Sequence, residues 1–190
     1  LPTMTTLHGT DITLVGMMPS YFEITRFSIE KSDAVTAVSE FLRAETVREF
    51  RIVRPIEVIH NFVDTDVFRI AEQPCVARAR LSPHGERVLM HISNFRKVKN
   101  LPIVLKVFDE VNKHVPSRLA LVGDGPEREK LYRQISDLDL RYRVLIPGTF
   151  DCLDELLAAA DLYVQSGICE APPLALLSAL AAGLPVVAAD

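Results

Sequence analysis

The chain has 190 residues, 48% hydrophobic and 24% charged, with 12 Pro, 8 Gly, no Trp and a formal net charge of -4. Such a composition describes a globular protein and excludes disordered and collagen-like classes. With 21 basic against 25 acidic residues, no field draws the whole molecule onto nucleic acid or an anionic membrane, so any anion site must be local.

Taken in chain order, Thr5 to Leu7 reads as a strand that ends in the turn His8-Gly9-Thr10-Asp11. Ser20 and Glu23 have capping-box spacing, which predicts a helix running to Lys31. A strand over Ala34 to Val38 follows, then Ser39 as the cap of a helix to about Phe50, then a short strand at Ile56 to Ile59. From Asp64 to about Arg87 the pattern dissolves into a polar stretch without sustained period, the expectation for a linker. Strands are next expected at Val88 to Ile92, Leu119 to Val122, Val144 to Ile146, Leu162 to Val164 and Val186 to Ala188. Helices are expected between them at Leu101 to Val115, Glu127 to Asp137, Leu153 to Ala160 and Leu174 to Ala182.

The alternation predicts an α/β fold with parallel sheets covered on both faces. The uncharged run Ala171 to Ala189 is long enough to span a bilayer, but Pro172, Pro173, Gly183 and Pro185 divide it, so it reads as a buried helix, a turn and a buried strand. No integral membrane segment is therefore expected. Cys75, Cys152 and Cys169 have neither zinc-ligand nor disulfide spacing, which suits a reducing, cytoplasmic setting.

In doubly wound folds ligands sit beyond the carboxyl ends of the strands, so the loops there carry the candidate chemistry. Arg96, Lys97 and Lys99 crowd three cations before a helix; guanidinium and ammonium groups there suit a diphosphate, and a solvated basic turn accounts for the spacing equally well. Gly123-Asp124-Gly125-Pro126 joins a strand to a helix and lets backbone approach a ligand closely; a plain tight turn would need the same residues. Glu170 precedes the last helix, where its carboxylate either accepts sugar hydroxyls or complements the helix dipole. His8, beside Gly9, is a strand-end imidazole whose role is either structural or chemical. Asn61 either bridges the two halves of the chain or serves turn chemistry.

In this order the motifs resemble the retaining glycosyltransferases of family 4, with GT-B architecture of two Rossmann-like domains. The segments 8–16, 25–33, 35–39 and Asn61-Phe62-Val63-Asp64 are similar to members that move N-acetylglucosamine from UDP-N-acetylglucosamine to L-malate in bacillithiol biosynthesis. The resemblance implies three parts: residues 1–64 as the end of the N-terminal, acceptor-side domain, 65–87 as an interdomain segment, and 88–190 as most of the donor domain. It implies that Arg96 and Lys99 hold the donor diphosphate and stabilise the departing UDP, with Gly123, Asp124 and Gly125 beside the nucleotide. Glu170 would match the first acid of a Glu-x7-Glu motif, His8 would lie beside the transferred sugar, and Thr10 and Arg26 near the acceptor. No metal or other cofactor is implied. The partners are a nucleotide sugar and a small acceptor, not nucleic acid, and a homo-oligomer is compatible with the pattern.

Two departures from the family pattern stand out. Ser178 occupies the place of the second acid that accepts ribose hydroxyls, and Pro172-Pro173 stand where the family has Phe-Gly. Losing a charge-assisted bond is worth about 1.5–3 kcal/mol, so donor affinity is expected to be lower than the family pattern gives. A different sugar, lipid or polysaccharide acceptor, or a non-catalytic nucleotide-sugar-binding relative, are the alternatives. The chain also opens at Leu1 without Met and stops after a strand-like run, and is expected to be an internal piece without turnover by itself.

Overall fold

The computed structural model describes residues 1–9, 11–70, 76–150, 152–167 and 173–189. The chain divides into two compact units, one on Leu1–Phe62 and a larger one on the chain from Val63.

The first unit carries a parallel sheet of β1 (Met4–Leu7), β2 (Ala34–Ala37) and β3 (Glu57–Val58), in that order, with Met4 opposite Ala34 and Thr36 opposite Glu57. Between them run α1 (Pro19–Lys31) and α2 (Glu40–Phe50). Their apolar sides enclose Leu7, Ile29, Val35, Leu42, Phe50 and Ile56, with Phe22 stacked on Phe50 at 4.9 Å between ring centroids. Ser39 caps α2 as expected, its side chain accepting from the Leu42 N–H at 3.1 Å. The capping box at Ser20 and Glu23 does not form. Pro19 opens α1, because its fixed φ and missing N–H suit the first helical position, and Ser20 falls inside the helix. At the other end of α1, Arg54 donates to the carbonyls of Glu30 (3.1 Å), Asp33 (2.8 Å) and, most closely, Ser32, supplying the cation that a helix C-terminus favours. A short π-helical turn, Asp11–Val15, follows Gly9 and had no signal in the sequence.

In the larger unit five parallel strands stand in the order β6-β5-β4-β7-β8: β4 (Arg87–Ile92), β5 (Ser117–Val122), β6 (Val144–Gly148), β7 (Leu162–Gln165) and β8 (Val186–Ala188). Helices α4 (Leu101–His114) and α5 (Arg128–Asp137) cover one face, packing Leu105, Phe108 and Leu131 on Leu89, Leu119 and Leu121. Helices α3 (Val76–Leu81), α6 (Leu153–Ala158) and α7 (Leu174–Ala181) supply apolar residues to the opposite cluster, which contains Val88, Met90, Ala120 and Tyr163. This alternation of faces is what strand periodicity dictates for a doubly covered sheet.

Two expectations are corrected here. The stretch from Asp64 to Arg87 is not irregular throughout, since α3 forms within it. Arg78 fixes that helix by donating to Asp161 at 2.5 Å and to the Ala159 carbonyl at 2.8 Å, and Leu81 is buried. The last strand is not buried: β8 stands at the sheet edge, with Val187 53% exposed.

Asp161 also accepts from Arg87 and from the Val88 N–H at the amino ends of β4 and β7. Nearby, Glu86 meets the His84 N–H and Arg118, and its pKa is lowered to about 2, first by its own backbone N–H and then by that of His84 and the Arg118 charge, against the opposing effect of burial. These ion pairs occupy the strand ends opposite those where a ligand would bind.

Candidate functional site

Chain order along the larger sheet reverses between β4 and β7: the chain runs outward through β5 and β6, returns beside β4, and continues to β8. The crevice beyond the carboxyl ends of β4 and β7 is therefore the topological switch point, where doubly wound folds bind ligands. The cationic loop leaves β4 at this point. It folds into a 3-10 turn, Lys97–Lys99, with Arg96 and Lys97 exposed and Lys99 half-buried. Asn100 ends the turn in the left-handed conformation, φ 48°, which its side chain tolerates, and α4 begins behind it.

The glycine loop after β5 is joined to the cationic loop by main-chain hydrogen bonds. Phe95 N–H donates to the Asp124 carbonyl at 2.8 Å, and Glu127 N–H donates to the Phe95 carbonyl at 2.9 Å. The side chain of Phe95 is fully buried beneath them. This contact explains both glycines. A Cβ on Gly123, φ 132°, would lie 1.9 Å from the Ser93 carbonyl oxygen, and one on Gly125 would lie 2.7 Å from the Phe95 backbone. The close approach foreseen for a ligand is, among the described residues, an approach between two loops of the chain itself. Asp124 is exposed, but its charge is paired: one oxygen accepts from Gly125 N–H at 2.7 Å and the other from Arg128 at 2.9 Å. An acid so paired opposes a nearby phosphate far less than a bare carboxylate would.

Beneath the cationic loop lies a buried polar group that the sequence reading passed over as part of a strand. His91 of β4 is fully buried, with Nδ1 2.8 Å from the Val164 carbonyl of β7 and Nε2 2.8 Å from Ser93 Oγ. Burial lowers its pKa to about 4, and the Lys99 charge adds to this, against the opposing effect of the Val164 hydrogen bond. The unfolded chain takes up this proton near pH 6.5, whereas the folded chain refuses it until about 4. Stability is thus full above pH 6.5 and falls as the pH drops towards 4, by about 3 kcal/mol. Glu86 makes its loss at lower pH, between 4.5 and about 2. Urea denaturation from pH 7.5 to 4 should show the first loss in the wild type and its absence in His91→Phe; equal slopes in both would contradict the assignment.

Of the other expected site residues, His8 is exposed at the carboxyl end of β1 and Arg26 is half-buried on α1, both in the first unit. Ser178 sits in α7 with only 4% exposure. Thr10 and Glu170, and with them Pro172, lie outside the described residues. Among the described residues no cluster of three or more His, Cys, Asp or Glu is placed to hold a metal, and no helix is long and apolar enough to cross a membrane. A cavity of about 340 Å³ opens beside α3 and α6, lined by Leu81, Leu145, Phe150 and Leu156.

Residues 76–190 match the family described as glycosyl transferases group 1, and residues 1–67 match Glycosyltransferase Family 4. The N-acetyl-alpha-D-glucosaminyl L-malate synthase of Bacillus anthracis is 40% identical over 97% of this chain and 48% of its own length. The lipopolysaccharide core biosynthesis glycosyltransferase LpsD of Rhizobium meliloti is 38% identical over 64% of this chain and 33% of its own. Among solved structures, Anabaena HepE in complex with UDP and glucose superposes with a TM-score of 0.83 over 98% of this chain and 52% of that one, at 21% identity. The chain thus spans about half the length of these relatives or less, and its α/β fold is that of the GT-B glycosyltransferases. On these matches the chain belongs to the glycosyl transferases of group 1, with Glycosyltransferase Family 4 sequence over its first 67 residues.

Proposed function

We propose that the chain is the donor-binding part and the adjoining acceptor-side part of a retaining glycosyltransferase that moves N-acetylglucosamine from UDP-N-acetylglucosamine to L-malate, a step of bacillithiol biosynthesis. The observation that carries the donor half of this reading is the cationic loop at the switch point, with Arg96 just before, and Lys99 at the end of, a 3-10 turn between β4 and α4. Preorganised cations at that position would stabilise the charge that develops on a departing diphosphate. In this reading the bond from the sugar C1 to the UDP oxygen breaks, and the malate hydroxyl oxygen bonds to C1 on the same face. The hydroxyl proton passes to the leaving phosphate oxygen. The Gly123 to Gly125 loop would border the nucleotide, Glu170 the sugar hydroxyls, and His8, Thr10 and Arg26 the sugar and acceptor. No metal is needed in this scheme, since Arg96 and Lys99 take the charge.

The malate assignment draws support from the 40% identical Bacillus anthracis synthase. LpsD, 38% identical over a shorter stretch, favours a saccharide acceptor as the second reading. Mass spectrometry of the full gene product incubated with UDP-N-acetylglucosamine, with and without L-malate, separates the two. N-acetylglucosaminyl malate is expected. Transfer only to a saccharide or lipid acceptor would reject malate.

A further inference from the structure

The cations of the β4 loop are placed no better than the main chain that carries them, and both ends of that loop are tied to β7. At the start, the Val164 carbonyl can only accept, so His91 Nδ1 carries the proton it receives at 2.8 Å. The neutral ring then leaves Nε2 as an acceptor, and Ser93 Oγ donates to it at 2.8 Å. At the far end, Ser166 Oγ, one residue beyond β7, donates to the Lys99 carbonyl at 2.6 Å and is itself buried. Leu89, two residues before His91, fills the same face with an apolar side chain. An apolar residue at 91 would likewise pack without the cost of burying an imidazole, so what the polar residue adds is a fixed position for Ser93.

We propose that His91 and Ser166 are positioning residues for the donor diphosphate, clamping residues 93–99 to the end of β7 so that Arg96 and Lys99 stand ready at the switch point. The inference rests on the reading of that loop as the diphosphate site. Neither residue needs to touch the donor. Their effect would pass through the loop, as supporting hydrogen bonds act on groups that bind a ligand directly.

UDP titration by isothermal calorimetry tests this on the protein and four variants, His91→Phe, His91→Gln, Ser166→Ala and Arg96→Ala, with a thermal melt of each. His91→Phe and Ser166→Ala are each expected to raise the Kd for UDP at least tenfold. His91→Gln, which can still donate to Val164 and accept from Ser93, should recover part of the loss. In the full gene product the donor KM should rise with the acceptor KM unchanged. A Kd within twofold of wild type in His91→Phe and Ser166→Ala, with only the melting temperature lowered, would overturn the proposal while Arg96→Ala still weakened binding. An unchanged Kd in Arg96→Ala would instead remove the diphosphate reading itself, and this inference with it. Should His91→Phe fail to fold, Ser166→Ala decides, since it removes only a hydroxyl.

Discussion

Gly123→Ala is expected to destabilise the larger unit by at least about 3 kcal/mol, since overpacking against backbone and an unfavourable positive φ act together. The added methyl would stand 1.9 Å from the Ser93 carbonyl oxygen, a main-chain atom that no side-chain rotation can move aside. Retreat is blocked on both sides. Gly123 N–H is held by the Gly148 carbonyl at 2.8 Å, and Ser93 N–H by the Val122 carbonyl at 3.1 Å. Gly148→Ala is the control: its φ of 90° is also positive, but an added Cβ meets nothing within 4 Å. It should cost only about 1 kcal/mol. Urea denaturation of the two variants separates steric clash from backbone strain. A Gly123→Ala protein within 1 kcal/mol of the control would show that the two loops are not locked together.

Removing the cations should leave the fold intact and abolish most of the affinity for nucleotide. Arg96→Ala and Lys99→Ala are each expected to weaken UDP binding by one to two orders of magnitude, the equivalent of about 1.5–3 kcal/mol for a lost charge-assisted hydrogen bond. Arg96 is exposed in the structure, so its truncation leaves no cavity. Arg96→Lys should fall between wild type and Arg96→Ala, because it keeps the charge and loses the fork that grips two oxygens. Affinity should also fall as salt is raised, more steeply in wild type than in either alanine variant. Calorimetric Kd values differing by less than threefold across this set would place the diphosphate elsewhere.

The elements that the sequence revealed are those whose signals are local. Periodicity marked every strand of the larger sheet, and Ser39 announced α2 because a cap and its partner lie three residues apart. The Ser20 signal misled for an equally local reason, since Pro19 takes the first helical position before a serine cap can form. Helix α3 has only six residues, too few to show a period, and it is held by Asp161, 83 residues away. The cationic loop and the glycine loop were legible as candidate binding elements, but not their contact, because a glycine records that something comes close without naming what. His91 was hidden inside an apolar strand. Its partner carbonyl, Val164, is 73 residues distant, and only the strand order places β7 beside β4.

In the proposed reading a nucleotide diphosphate binds at the carboxyl ends of β4, β5 and β7. Mapping UDP onto backbone amide resonances of the protein tests it most directly. Saturable shifts are expected, concentrated in residues 93–100, 123–125 and 166–167. Shifts confined to the cavity lined by Leu81, Leu145 and Phe150, or none at 10-millimolar UDP (about 2.7 kcal/mol short of a 0.1-millimolar site), would contradict it.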